Sequence, residues 1–220
     1  MLVAVPVMLA KVSHGQNNQS LPEFNRIRLE HSIEAELVIS DRCALYTDLP
    51  NEIVAKVENN ELVVKRKTPN DSKTRVKIKI YARSLTAIKL DGATKLTTQS
   101  TIVADQFSLD MDGASKASLL VKVKKIRIDM DGAASLDIKG STTFVEIEAD
   151  GAAKLRASGM SAESVTVDAD GASSVNVNAS QKLSAKADGA SSVRYSGNPK
   201  DTHISAEGMS SVKKLEKADN

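Results

Sequence analysis

With 220 residues the chain can build one or two domains with a proper core, and its 30 basic and 28 acidic side chains leave a formal charge of only +2. No global field therefore draws it to nucleic acid or to a membrane surface. Tryptophan is absent and aromatics make up 3% of residues, so the core must be narrow and built from Ala, Val, Ile and Leu, while the single cysteine, Cys43, excludes a disulfide framework and a multi-cysteine zinc site.

Residues 1–10, MLVAVPVMLA, form an apolar stretch too short to span a bilayer, and a polar stretch leads from there to Phe24. This pattern is that of a secretory signal region and its exit, although the usual basic residues before the apolar run are missing. The alternative is a buried N-terminal strand. Residues 1–20 are thus expected to be signal-derived or without regular structure, and the mature chain to be exported: periplasmic, outer-membrane-associated or extracellular.

Residues 21–84 read as a β-rich cap, with strands expected at 26–29, 36–39, 53–57, 61–65 and 75–81. Turn signals separate them at Asp48-Leu49-Pro50-Asn51, Glu58-Asn59-Asn60 and Thr68-Pro69-Asn70-Asp71. The short Asn59-Asn60 link predicts a hairpin, and the whole region is expected to be mostly antiparallel, closing the first coil of a repeat region.

From residue 85 to 212 that repeat takes over. An Asp-Gly-Ala corner begins at Asp91, Asp112, Asp131, Asp150, Asp170 and Asp188, and a degenerate seventh copy begins at Glu207, at spacings of 21, 19, 19, 20, 18 and 19 residues. Around each corner the frame alternates. Three positions before the acid stand Ile88, Leu109, Ile128, Ile147, Val167, Ala185 and Ile204; one position before it, Leu90, Met111, Met130, Ala149, Ala169, Ala187 and Ala206. Five positions after it stand Leu96, Ala117, Leu136, Leu155, Val175, Val193 and Val212. A period of two means strands with one buried face. A repeat of about 19 residues is too short for a crossover helix, so identical coils must stack in register, each completing its neighbour's core.

The fold class is therefore all-β: a parallel β-solenoid of about seven coils, each with two strand segments such as 126–130 and 135–139. Glycine supplies the positive φ of the corner, Asp accepts hydrogen bonds from nearby backbone, and the alanine after it is expected to turn inward. The charged tail 213–220 is expected to blunt the far end.

Phe24-x-x-Ile27, the strand Glu61-Leu62-Val63-Val64 and the phrase D-G-A-S-S-V at 170–175 and 188–193 carry a resemblance. Across residues 22–212 the chain resembles the bacterial family described as "putative auto-transporter adhesin, head GIN domain", found among envelope proteins of Bacteroidetes. The resemblance implies a right-handed β-helix, an envelope or extracellular location and no catalytic site, and it favours binding without naming a ligand.

Two acidic columns are the most conspicuous chemistry. The corner acids should stack, and the row two residues earlier reads Lys89, Asp110, Asp129, Glu148, Asp168, Lys186 and Ser205. In the four middle coils Asp110, Asp112, Asp129, Asp131, Glu148, Asp150, Asp168 and Asp170 form an acid-x-acid stripe, which hard divalent cations could neutralise. The plainer and preferred reading is that backbone amides satisfy the corner acids and water the outer ones, with no metal bound.

Lys122, Lys124, Lys125 and Arg127 cluster, and Lys95, Lys116 and Lys154 recur after the corner. They read as solubilising charge balancing the acids, or as contacts for an anionic glycan or phosphate. No aromatics interleave them, which argues against nucleic acid. His14, His31 and His203 have no metal-ligand spacing, and Cys43 reads as a small buried residue rather than a reactive thiol. No nucleophile elbow, phosphate loop or dinucleotide fingerprint occurs, so neither catalytic residue nor cofactor is expected.

The function expected is structural or binding, adhesin-like, with a glycan or surface protein as partner and the solenoid flank as the contact. The rival is a β-helix carbohydrate-active enzyme, a lyase or glycosidase. Such enzymes need a cleft of converging acids and aromatic sugar platforms, whereas these coils are short and uniform, with Tyr195 the only aromatic in an outward or edge position after Phe144.

Overall fold

The computed structural model of the protein describes residues 17–68 and 75–215. Their strands join one continuous, mostly parallel sheet wound into a solenoid. The three apolar rows run as expected. Ile88, Leu109, Ile128, Ile147, Val167, Ala185 and Ile204 are successive pairing partners. So are Leu96, Ala117, Leu136, Leu155, Val175, Val193 and Val212. Every member is buried up to the last coil, where Ile204 is 47% exposed because no coil covers it among the described residues.

Each corner stacks directly on the one before. The Ala133 N–H donates to the Gly113 carbonyl at 2.8 Å, and Ala152 to Gly132 at 2.8 Å. The inward residue at this bend is not the one expected. Ala93, Ala114, Ala133, Ala152, Ala172 and Ala190 are exposed, and the next residue turns in: Thr94, Ser115, Ala134, Ala153, Ser173 and Ser191 are all buried. The acid, the glycine and the alanine all stay outward before the strand phase resumes, so the small inward residue belongs one place later. Near the C-terminal end its hydroxyl also bonds across coils, Ser191 Oγ donating to the Ala169 carbonyl at 2.9 Å.

The strands also extend further than two short segments per coil. Lys116–Met130 and Ser135–Ala149 run unbroken through a second bend. At that bend Lys124 and Lys125 both point outward, shifting the alternation by one residue. Gly140 sits opposite Val121, where a Cβ would lie 1.8 Å from the Val121 carbonyl oxygen.

The region before the repeats is less antiparallel than expected. Arg26–Glu30 pairs in parallel with both Ala87–Asp91 and Glu61–Arg66. Ile33–Ile39 pairs in parallel with both Lys95–Thr98 and Val76–Ala82. Residues 26–39 are thus a coil in their own right, lying between the first Asp-Gly coil and an outer coil made from 61–66 and 76–82. His31 takes the glycine's place at its corner, with φ 71°, and packs directly against Gly92. Antiparallel pairing is confined to the periphery: Ala44–Thr47 with Asn17–Ser20 and Val76–Ala82, and Ile53–Glu58 with Glu61–Arg66. The latter is the expected hairpin, with Asn59 and Asn60 at φ 50° and 62° in its two-residue turn.

Two boundaries move. Asn17–Ser20 belongs to the sheet rather than to a structureless leader, and Lys213 and Lys214 complete the last strand, Ser211–Lys214. Residues 1–16, which include His14, most of the predicted turn at 68–71, and the tail 216–220 lie outside the described residues. Among the described residues no helix is long and apolar enough to cross a membrane.

Candidate functional surface

The glycine corner divides the solenoid into two flanks of opposite charge. On the flank before it, Asp110, Asp129, Glu148 and Asp168 are consecutive partners in one row, which Lys89 and Lys186 terminate. The corner acids Asp112, Asp131, Asp150 and Asp170 stack beside this row through backbone bonds from each N–H to the coil below. All eight acids of the expected stripe are therefore brought together.

Coils about 4.8 Å apart make these carboxylates repel one another. Three devices relieve that repulsion. The Oδ1 atoms of Asp131, Asp170 and Asp188 accept the N–H of the following glycine, at 2.5, 2.5 and 2.6 Å. Lys89 lies 3.4 Å from Asp112, and Lys186 lies 3.7 Å from Asp168. Arg127, from the adjacent outward row, reaches Glu148 at 2.8 Å, Glu146 at 3.2 Å and Asp129 at 3.8 Å. The sequence showed Arg127 only as part of a basic run. Its bracing role depends on the register that sets it beside two coils' acids.

The relief is incomplete. Partial burial, then the Glu148 and Asp110 carboxylates, push the Asp129 carboxyl above its ordinary value. Burial, then Asp170 and Asp131, do the same to Asp150. Among the described residues no group of three or more His, Cys, Asp or Glu side chains is arranged to hold a metal ion.

On the flank after the corner the charge reverses. One row reads Lys95, Lys116, Ser135, Lys154, Ser174 and Ser192; the next outward row reads Thr97, Ser118, Asp137, Arg156, Asn176 and Arg194. Lys139 stands one outward position later. Lys95 is paired with Glu34 of the N-terminal coil at 2.8 Å. Arg156 donates from Nε and Nη2 to the two carboxylate oxygens of Asp137, which keeps that carboxyl below the ordinary value.

Between the flanks, at the second bend, Lys124 pairs with Asp105 at 2.7 Å. Shallow notches there are lined by Val103, Ala104 and Asp105 on one side and by Lys122, Lys125 and Arg127 on the other. Val103 and Phe144 are exposed at 64% and 54%. Tyr195, expected at an outward or edge position, is half-buried and packs partly against the core. His203 projects outward, 3.2 Å from Asp201, and Cys43 is buried.

A family model described as "Putative auto-transporter adhesin, head GIN domain" matches residues 23–199. The chain belongs to this family. Among solved structures it is similar to a "putative adhesin" from Bacteroides fragilis, at 18% identity and a TM-score of 0.83, covering 91% of this chain and 96% of that one. It is also similar to a "putative adhesin" from Parabacteroides distasonis, at 19% identity and TM-score 0.70, covering 92% and 98%. A "putative lipid binding protein" from the same species matches at 14% identity and TM-score 0.67, again covering 92% and 98%. At these identities the likeness speaks for the fold alone. Among functionally curated proteins none matches the chain. The family's description is that of an adhesin and not of an enzyme, so the chain is adhesin-like, and an exported or envelope setting fits it.

Proposed function

We propose that the protein is an exported, envelope-associated contact module whose solenoid flank binds an extended glycan or a surface protein at several coils at once. The observation that supports this reading is the flank itself. Equivalent polar residues repeat from coil to coil in register, and no long loop interrupts the second to sixth coils. Such a surface offers many similar weak contacts, and repetition multiplies a modest single-site affinity. Membership of an adhesin-described family supports the same reading.

The test is a glycan and surface-protein binding array with the full chain, then removal of one internal coil, residues 150–169. Binding should weaken on the deletion without disappearing. Binding confined to one pocket, or release of reducing ends from a bound glycan, would replace this reading with the enzymatic one.

A further inference from the structure

Contact along a flank leaves open which flank and which chemistry. Resting on that contact reading, we propose that the flank after the glycine corner binds an extended acidic polysaccharide, with Lys116, Lys139, Lys154 and Arg194 as its carboxylate contacts.

These four side chains are exposed and lie on rows of one flank, from the second coil to the sixth. None of them forms an ion pair among the described residues. The acid that shares these rows from the second coil to the sixth, Asp137, is taken up by Arg156, with Lys139 and Lys154 nearby. Lys116 and Lys154 stand in the same row two coils apart, a separation of about 10 Å along the axis, and Arg194 lies two coils further on and one outward row across. The cations therefore form a widely spaced line and not a dense cluster.

Between them lie Ser118, Ser135, Ser174, Asn176 and Ser192, side chains that donate and accept hydrogen bonds. Spaced charge with hydroxyls and amides between is the complement of a polymer that alternates carboxylates and sugar hydroxyls. A nucleic-acid duplex presents a phosphate about every 1.7 Å of its axis, far denser than this line, and a single strand needs aromatic platforms that this flank lacks. The acidic rows on the other side of the corner repel a polyanion and confine it to the basic flank.

The serines and asparagine already present in these rows make the test clean. Ser135 and Asn176 occupy the slots that Lys116, Lys154 and Arg194 hold in other coils, so K116S/K154S/R194N should keep the fold and its melting temperature. A second triple variant, K116Q/K154Q/R194Q, retains the side-chain length. The full chain is titrated with polygalacturonate at low and at physiological salt, with a neutral glucan and a DNA duplex of similar length for comparison. Polygalacturonate should bind, salt should weaken it, and either triple variant should lower affinity by about tenfold or more. D110N/D129N/E148Q on the opposite flank should leave binding intact.

Equal binding by wild type and both triple variants would overturn the assignment. So would equal or tighter binding of the DNA duplex, or salt-sensitive self-association through the acidic flank of a second copy that polygalacturonate does not displace. If polygalacturonate is ignored while a neutral glycan or a protein on the array binds, the contact reading stands and this inference falls. A chain that binds nothing on either panel sinks both.

Discussion

The Ala152 N–H donates to the carbonyl of Gly132 at 2.8 Å, and a Cβ placed on Gly151 would lie 2.9 Å from that same oxygen. The corner of each coil is therefore seated on the corner below with no room for a side chain, and Gly151 also sits at φ +69°. Gly151→Ala should cost about 2–4 kcal/mol, from left-handed backbone plus displacement of the stack. Ala152→Ser, one residue on and exposed, should change stability by under about 0.5 kcal/mol. Thermal and denaturant melts of the two variants would show whether the corner is as tightly seated as its geometry says.

Leu136 is fully buried between Ala117 and Leu155 in one inward row, whereas Lys139 faces water. Leu136→Ala should destabilise by about 2–5 kcal/mol, because rigid coils above and below limit collapse into the cavity. Lys139→Ala should cost under about 0.5 kcal/mol. Comparable losses from both would mean the strand is out of phase with this register.

The two flanks should respond oppositely to acid. The carboxyls of Asp129 and Asp150 are raised in the folded state, so their charged forms oppose folding. Their protonation stabilises the fold: that contribution is complete below the unfolded value and is lost as pH rises through the folded one. Asp137 and Glu34 are lowered by their bonds to Arg156 and Lys95, so their contribution is complete above the unfolded value and disappears as pH falls through the folded one. Asp129→Asn should therefore raise the melting temperature at neutral pH and shrink any gain seen on mild acidification. Asp137→Asn should lower it at neutral pH, with the difference closing in strong acid. Melts across the acid-to-neutral range would decide, and a change of the same sign in both variants would contradict the charge map.

Arg127 already places a cation against the acidic rows, 3.2 Å from Glu146, 2.8 Å from Glu148 and 3.8 Å from Asp129. Millimolar calcium should accordingly leave the melting temperature of the wild type unmoved, since a ligand stabilises only by preferring the native state. Arg127→Gln should lower the melting temperature and make it responsive to calcium. A rise of several degrees in the wild type, abolished by Asp129→Asn with Asp131→Asn, would make the stripe a cation site.

In a parallel solenoid each residue pairs with its equivalent one coil away, so repeat spacing and pairing register are the same quantity. This is why the rows through Ile128, Met130 and Leu136, the glycine corners and both acidic columns could be read from the sequence alone. The choice of inward residue at the bend could not, because Ala133 and Ala134 are both small and only the backbone path decides between them. The place of residues 26–39 was hidden too. His31 replaces the glycine that marks every later corner, and these residues stack between a coil that includes 61–66 and 76–82 and one formed by 87–98, against the order of the chain. Local alternation shows that they are strands, but it carries no record of which strand covers which. The same holds for charge. Composition reports near-neutrality, while the stack sorts acids to one side of the corner and unpaired cations to the other, because a row inherits one orientation from the coils that build it.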